Sequence, residues 1–418
     1  MNNKIFFDEE YTKLLKDKFY FPDEGNLFLD NAGGALRLKK SVEAKAFFER
    51  YPDCPERSHP RALDLRSLVD DGTKQIIEIM FGAKGGALIT ELTASQTMFH
   101  MVEIILENAH GTNVVVSSLE HPSAFDAVEY YASKTGKELR VIPANKTSGG
   151  IDLDAVEALV DENTCLLSIM SASNASGVIM DIGEIVKIAR RINPNIYIIS
   201  DAVQHAPHCL MEAEALGVDG MNFGPYKFFG VRGCGFAWVS DRVAKLPHRK
   251  LILKPAETFA LGTSTPANFA ATVEIINYVC DIGAHFSSVT DRKALWEEGM
   301  KRIKLQEMAL LHRLLEGSED APGLRHIKNV RVLLDTLPLE KRDLIISLDF
   351  KNISTGDAAL EYQKNNITVC ERLADSIYSK RILNALGIGD SLRISPLHIH
   401  GKADIDRFLK ETERIANL

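Results

Sequence analysis

The stretch that decides the fold is residues 196–204, Ile-Tyr-Ile-Ile-Ser-Asp-Ala-Val-Gln, a short apolar run that stops at a carboxylate, Asp201. Such a run, without alternating polar residues, is typical of a strand buried on both faces of a parallel sheet. A carboxylate at the end of a buried strand costs free energy unless a cation meets it. We therefore expect a strand over 196–200 and a cationic partner for Asp201, either a metal ion or a protonated ring nitrogen.

Similar short apolar runs alternate with helical patterns on the N-terminal side of this strand. Strands are predicted at 27–29, 86–90, 113–117, 138–142 and 164–170, and helices at 42–50, 65–81, 95–107, 123–135, 153–160 and 184–191. Alternation of this kind predicts an α/β domain, with a mostly parallel sheet covered by helices.

The C-terminal part has a different pattern, with longer helices and fewer strands. Helices are predicted at 269–283, 292–315, 356–364, 380–386 and 403–416, and strands at 326–332, 343–348 and 391–394. A chain of 418 residues is long enough for two domains. We expect a large domain over 26–262 and a small α+β domain over 263–418, with residues 1–25 packing on the small domain.

Composition excludes several classes of protein. A net charge of -8 and a pI near 5.9 argue against a nucleic-acid partner, because no basic surface would neutralise phosphates. No uncharged apolar run approaches the ~20 residues of a membrane-spanning helix, so no membrane association is expected. The six cysteines form no Cys-x-x-Cys pair, which favours a cytoplasmic protein in a reducing environment.

Polar residues follow several of the predicted strands, where ligands of open α/β sheets bind. Thr93 and Ala94 begin a helix, whose free N–H groups suit a phosphate, although Thr93 would serve equally as a helix cap. His121 can stack on a flat ring or move a proton, or it can be a surface turn residue. Asn174 can donate a hydrogen bond to a ligand or hold a turn.

Residues 223–230, Phe-Gly-Pro-Tyr-Lys-Phe-Phe-Gly, place Lys227 among aromatic and glycine residues. Most lysines are solvated, but a lysine in such a run is expected to be buried. Burial lowers the pKa of the amine and makes it able to form a Schiff base with a carbonyl compound.

Taken together, these motifs resemble the class V aminotransferase and cysteine desulfurase family of pyridoxal 5'-phosphate (PLP) enzymes. The motifs that carry the resemblance are Ser200-Asp201-Ala202-Val203-Gln204 with Lys227, Glu120-His121, Asn174, Thr93, Thr258-Phe259-Ala260-Leu261-Gly262-Thr263 and Leu392-Arg393-Ile394-Ser395. They occur in the family's order over residues 27–409. The resemblance implies the PLP fold type I for the large domain, and a homodimer.

The resemblance also implies a role for each residue at the cofactor. PLP forms a Schiff base with Lys227, while Asp201 binds the ring nitrogen and His121 stacks on the ring. Gln204 and Asn174 lie at the phenolic oxygen of the ring.

The phosphate and the substrate are assigned to further residues on the same basis. Thr93, Ala94 and Tyr226 hold the phosphate, and Thr263 reaches the phosphate of the partner subunit. A small amino-acid substrate is bound by Arg393, which takes its carboxylate, and by Asn31, Gly33 and Asn174.

Two departures from the family pattern bear on the reaction. Gly224-Pro225-Tyr226-Lys227 stands where typical desulfurases have Ser-Gly-His-Lys, and a Tyr-Lys pair is similar to kynureninases. The loop that supplies the nucleophilic cysteine of desulfurases corresponds to residues 371–380, which contain no cysteine. Cys370 precedes this loop and is either a candidate catalytic thiol or a packed residue at a strand end.

The favoured interpretation is a desulfurase-like lyase that breaks a C–S or C–Se bond by β-elimination. A class V aminotransferase or an epimerase is the alternative. A metal-dependent hydrolase using His205, His208 and Cys209 with Asp201 is a distant alternative, and a catalytically silent homologue is a further one.

Overall fold

The computed structural model describes residues 7–52 and 54–418. The N-terminal elements are α1 (Glu9–Lys16), β1 (Phe19–Tyr20), β2 (Leu27–Phe28), β3 (Arg37–Leu38), α2 (Lys39–Phe48), α3 (Pro60–Gln75), β4 (Ala87–Glu91), α4 (Ala94–Asn108), β5 (Asn113–Ser117), α5 (Pro122–Lys134), β6 (Glu138–Ile142), α6 (Leu153–Leu159), β7 (Thr164–Met170), α7 (Ile182–Ile192), β8 (Tyr197–Asp201), α8 (Ala213–Leu216), β9 (Gly220–Phe223), β10 (Gly235–Val239) and α9 (Asp241–Ala244). The C-terminal elements are α10 (Pro266–Phe286), α11 (Arg292–Glu316), β11 (Val330–Leu333), β12 (Ile346–Phe350), α12 (Thr355–Lys364), β13 (Ile367–Thr368), β14 (Cys370–Arg372), α13 (Lys380–Leu386), β15 (Ser391–Ile394) and α14 (Lys402–Ala416).

The large unit is built on a seven-stranded sheet with the spatial order β4-β10-β9-β8-β7-β5-β6. Strand β10 runs antiparallel to both of its neighbours, while the pairs from β9 to β6 are parallel. Every residue of β5 and β7 is buried, because helices cover both faces of the sheet. The predicted α/β architecture with a mostly parallel sheet is confirmed.

The helices on this sheet follow from apolar periodicity and helix caps. Helix α7 shows the pattern clearly: Asp181 caps its first turn, and Ile182, Ile185, Val186 and Ala189 are buried at helical spacing. Because β7 and β8 are parallel neighbours, their carboxyl ends open at the same edge of the sheet.

The small unit is a four-stranded antiparallel sheet with the order β11-β12-β15-β14. Its strand β15 carries Arg393, which pairs with Ser347 on one side and with Cys370 on the other. A bridge between Asp30 and Ser395 brings the turn after β2 beside β15. Arg393 also donates a hydrogen bond to the carbonyl of Asn174, which follows β7, and so lies next to the large sheet.

The N-terminal helix packs against elements of the C-terminal half. Tyr11 stacks on His285 with 3.8 Å between ring centroids, and Lys16 forms an ion pair with Asp404 at 2.6 Å. Helix α10 in turn contacts α2 and α3 of the large unit. The division of the chain near residue 262 stays a prediction.

Several elements differ from the predictions made on the sequence. The helix predicted over 65–81 is α3 followed by a π-helical turn, Ile76–Met80, and the strand predicted over 326–332 begins only at Val330. Strands β9 and β10 were not predicted. Strand β9 reads Gly-Met-Asn-Phe and is too short to show a periodic pattern. In the part of the chain that the structure describes, no helix is long and apolar enough to cross a membrane.

Candidate active site

A cavity lies at the carboxyl ends of β7 and β8, where open α/β sheets bind their ligands. Its lining includes seven residues predicted from the sequence, namely Ala94, His121, Asn174, Asp201, Gln204, Tyr226 and Lys227. Ser95, Ser123, Met170, Ala172 and Val203 complete the lining. These five were missed, although each of them except Met170 stands within two residues of a residue that was predicted.

Lys227 ends a short 3₁₀ turn, Pro225–Lys227, and is only 9% exposed. Its Nζ donates to Gln204 Oε1 at 3.4 Å. Burial lowers the pKa of Lys227 to about 8, and Arg393 acts in the same direction, while Asp201 opposes it. The neutral amine, which is the form that attacks a carbonyl carbon, is therefore far more populated near neutral pH than in an ordinary lysine.

Asp201 ends β8 and is buried, as the sequence predicted. One carboxylate oxygen accepts a hydrogen bond from the Val203 N–H at 3.0 Å. Burial raises the pKa of Asp201, and the nearby Lys227 charge offsets this in part. A protonated ring nitrogen would supply the positive charge that this carboxylate needs.

His121 lies at the start of α5, where its Nδ1 accepts from the Ser123 N–H at 3.1 Å. Burial lowers the pKa of His121 to about 4, and the charges of Lys227, Arg372 and Arg381 add to the effect. The imidazole is therefore neutral at neutral pH. A neutral, fixed ring at the cavity wall suits stacking on a flat heteroaromatic group.

Glu120 is a fully buried acid to which the sequence analysis gave no role. Its Oε1 accepts hydrogen bonds from Ser117 Oγ at 2.6 Å and from the Met170 N–H at 2.7 Å. Burial raises its pKa to about 8, and Asp201 contributes in the same direction. Glu120 is therefore protonated at neutral pH and ties β5 to the end of β7 beneath the site.

The N-terminus of α4 forms part of the cavity wall. Thr93 caps the helix by accepting from the Gln96 N–H at 3.1 Å, and Ala94 lines the cavity. A Cβ at Gly235 would lie 2.3 Å from the Ala94 nitrogen, so only glycine lets β10 pass this close to the helix end. The exposed N–H groups and the helix dipole at this end suit a phosphate.

Arg393 is held at the side of the cavity by two acceptors. Its Nη2 donates to Asp30 Oδ1 at 2.8 Å and its Nη1 to the Asn174 carbonyl at 3.3 Å. Its Nε is buried without a hydrogen-bond partner among the described residues. A substrate carboxylate can bind at this nitrogen, or at Nη2 in place of Asp30. Asp30 was missed by the sequence analysis.

Asn31 and Gly33 shape the turn that carries Asp30. The Asn31 amide donates to the carbonyls of Phe28 and Ser395 at 3.1 and 2.9 Å. A Cβ at Gly33 would lie 2.7 Å from the Asp30 carboxylate. Direct contact of Asn31 and Gly33 with a substrate stays a prediction.

Cys370 pairs with Arg393 across β14 and β15 and is partly buried. Arg393 and Arg372 favour its thiolate, but burial outweighs them, and the pKa of the thiol is raised. Cys370 is therefore a protonated thiol at neutral pH, not the activated nucleophile that a basic neighbour such as Arg372 would create.

Thr263 lies outside this cavity, on an exposed loop that lines a separate surface opening with Thr90 and Glu91. Its predicted contact with a partner subunit stays a prediction.

The residues of the distant metal-site alternative are not gathered around one point. His205, Cys209 and Asp343 lie together, but Lys304 Nζ already stands 3.3 Å from Asp343 Oδ1 and supplies positive charge there. His208 instead binds Glu307 at 2.8 Å. In the described part of the chain, neither His208 nor Asp201 joins this group.

The residues of the main cavity fit PLP on three observations. A buried amine with a lowered pKa, a buried carboxylate in need of a cation and a free helix N-terminus all line one cavity. Asn174 Oδ1 is in addition buried without a hydrogen-bond partner among the described residues. Lys227 would hold the aldehyde carbon, Asp201 the ring nitrogen, and Ala94 with Ser95 the phosphate.

Known proteins show the family to which this chain belongs. Residues 27–408 match the family model described as Aminotransferase class-V. A cysteine desulfurase of Archaeoglobus fulgidus is 25% identical over 311 residues, which cover 73% of this chain and 76% of that protein. A probable cysteine desulfurase of Streptomyces coelicolor is 24% identical over 405 residues, covering 94% and 92% of the two chains.

The fold is also found among solved structures. The apo structure of a cysteine desulfurase from Thermococcus onnurineus superposes with a TM-score of 0.81 at 21% identity, covering 97% of this chain and 98% of that one. The predicted kinship with cysteine desulfurases is confirmed by these relatives. The chain belongs to the class V aminotransferase family and is a PLP-dependent enzyme.

Proposed function

We propose that this enzyme is a desulfurase-like lyase that breaks a C–S or C–Se bond of a small amino acid by β-elimination, without using a thiol of its own. The observation that carries the proposal is that the loop which supplies the sulfur-accepting cysteine of desulfurases has no cysteine in this chain. Residues 371–380 contain no cysteine, and burial keeps the Cys370 thiol protonated. The relatives named as cysteine desulfurases support sulfur chemistry on this scaffold.

Each residue at the cavity has a separate role in this reaction. PLP, when bound, would supply an electron sink for the bond that breaks at Cα. Arg393 grips the substrate carboxylate and so orients the bond between Cα and its hydrogen. The Lys227 amine, with its lowered pKa, accepts the Cα proton, and the buried Asp201 carboxylate holds a proton on the ring nitrogen.

Product analysis tests the proposal. The holoenzyme is incubated with cysteine, with selenocysteine and with other small thio-amino acids, each with and without a keto acid. Elimination from cysteine or selenocysteine predicts release of sulfide or selenide together with pyruvate and ammonia, and other thio-amino acids should release a thiol with the corresponding keto acid and ammonia. Alanine with a persulfide on Cys370 would contradict the thiol-free route, and amino transfer to the keto acid without sulfur release would contradict the lyase.

The Cys370→Ser variant provides the matched comparison. The proposal predicts a turnover within about twofold of the wild type, because the sulfur leaves without an enzyme acceptor. A loss of 100-fold or more, with a normally folded protein, would assign the thiol a role in catalysis. Lys227→Ala serves as the inactive reference.

A further inference from the structure

Arg372 is a buried arginine beside the site, and it has no role in the proposed mechanism. It ends β14 and is 6% exposed. Its Nε and Nη2 have no hydrogen-bond partner within residues 7–52 and 54–418. A buried guanidinium with unpaired donors is costly, so an arginine held in this way points to an anion that the bare protein does not provide.

Strand register places Arg372 on the side of the sheet that faces the cavity. In the antiparallel pair of β14 and β15, Cys370 lies opposite Arg393 and Arg372 lies opposite Ser391. Directly paired residues, and residues two apart on a strand, project from the same face. Arg372 therefore shares a face with Arg393, which bonds the backbone of the cavity residue Asn174.

Electrostatics agree with this placement. The charge of Arg372 contributes to the lowered pKa values of both His121 and Lys227, which line the cavity. Burial and the charge of Arg393 together lower the pKa of Arg372 itself. The four groups thus share one poorly solvated region.

The acids of this region do not balance its cations, because Asp201 is assigned to the ring nitrogen of PLP and the remaining acids do not pair with Arg372. Asp30 is the carboxylate that acts on Arg372, but its Oδ1 is already bound by Arg393 at 2.8 Å. Glu120 is protonated at neutral pH. An incoming α-carboxylate is taken by Arg393 under the proposed mechanism, which leaves Arg372 in need of a second anion.

We propose that Arg372 binds an oxyanion on the side chain of the substrate, so that the substrate is a small amino acid with an acidic side chain. The inference rests on the proposed assignment of Arg393 to the α-carboxylate. Guanidinium pairs in bidentate fashion with planar carboxylates and with related oxyanions. A side-chain sulfinate has this chemistry and retains a C–S bond, and a side-chain carboxylate has it without sulfur.

A binding measurement with non-reacting analogues tests the inference. Succinate and butyrate have four carbons each and differ in one carboxylate. Each is titrated into the PLP-loaded holoenzyme, and binding is followed by the change in visible absorption or by calorimetry. We expect succinate to bind at least tenfold more tightly than butyrate.

Variants assign the preference to one side chain. Arg372→Met should reduce the succinate preference to less than threefold, and Arg372→Lys should keep part of it, because the charge remains but the bidentate geometry is lost. Arg331→Met removes an exposed arginine from β11 of the same sheet and should leave the ratio unchanged. Equal binding of both acids by the wild type, or an unchanged preference in Arg372→Met, would overturn the inference.

Turnover separates this inference from the proposed function. Cysteine sulfinate, cysteine, aspartate and asparagine are compared by kcat/KM in the wild type and in Arg372→Met. Higher kcat/KM for the acidic member of each pair, lost in the variant, supports the inference whichever reaction follows. Amino transfer from aspartate would support Arg372 while contradicting the lyase. Efficient elimination from cysteine without a succinate preference would contradict Arg372 alone.

Discussion

Replacing Arg372 by methionine should stabilise the enzyme in the absence of substrate. Burial, reinforced by Arg393, lowers the pKa of Arg372 to about 10. Each tenfold change in proton affinity corresponds to about 1.4 kcal/mol, so the charged side chain costs about 3 kcal/mol of folding free energy. Methionine has a similar length and fills irregular apolar space, so it removes the charge without opening a large cavity.

The sign of the effect follows from proton binding. Because the pKa of Arg372 is lower in the folded protein than in the unfolded chain, the unfolded chain holds the proton more tightly. The cost is therefore present in full at neutral pH and disappears only as the pH rises past the ordinary arginine pKa. At pH 7 the free energy of unfolding of Arg372→Met should exceed that of the wild type.

Thermal unfolding of the holoenzyme at pH 7, followed by circular dichroism at one scan rate, measures the effect. For a chain of 418 residues, about 3 kcal/mol corresponds to a rise in Tm of roughly 3 °C. Arg331→Met, which removes one exposed ion pair with Asp349, should change the Tm by less than about 1 °C. A Tm several degrees below the wild type in Arg372→Met would refute the reasoning, since it would mean that the native protein satisfies this guanidinium.

Three further predictions concern other parts of the site. Asp201→Asn should keep PLP attached to Lys227 but lose at least about 100-fold in kcat, because a neutral amide cannot hold the proton on the ring nitrogen; wild-type kcat would contradict this. The raised pKa of Glu120 makes the wild type lose stability as the pH rises from about 4.5 to 8. Over that range the free energy of unfolding of Glu120→Gln should therefore increase relative to the wild type, by at most about 5 kcal/mol. Denaturant titrations at several pH values measure this difference, and the same pH dependence in both proteins would argue against it. Light scattering should show a homodimer, and Thr263→Ala should weaken the affinity of the enzyme for PLP. An active, PLP-loaded monomer would exclude the predicted contact between subunits.

Local sequence patterns are sufficient to predict much of the large domain. The apolar run before Asp201 predicted β8, and the residues after each buried strand predicted most of the cavity lining, because parallel strands deliver their carboxyl ends to one edge. Lys227 was predicted from its apolar neighbours, and its burial bears this out.

Properties that depend on contacts distant in sequence could not be predicted in this way. Glu120 is held by the Met170 N–H, fifty residues away, so nothing in its own neighbourhood indicates a protonated acid. Arg372 lies on a three-residue strand, and its direction follows only from the register of β14 against β15. Asp30 reaches Arg393 through a turn whose position depends on the bridge to Ser395.

Covalent attachment of the cofactor tests the central claim most directly. The PLP-loaded enzyme is reduced with borohydride, digested and analysed by mass spectrometry, with Lys227→Ala treated in parallel. The account predicts a stable pyridoxyl group on the peptide that contains Lys227, and no such group in the variant. It also predicts that PLP attaches to the apoprotein faster as the pH approaches about 8, because the buried amine loses its proton there. A pyridoxyl group on another lysine, or full activity without any attachment, would contradict it.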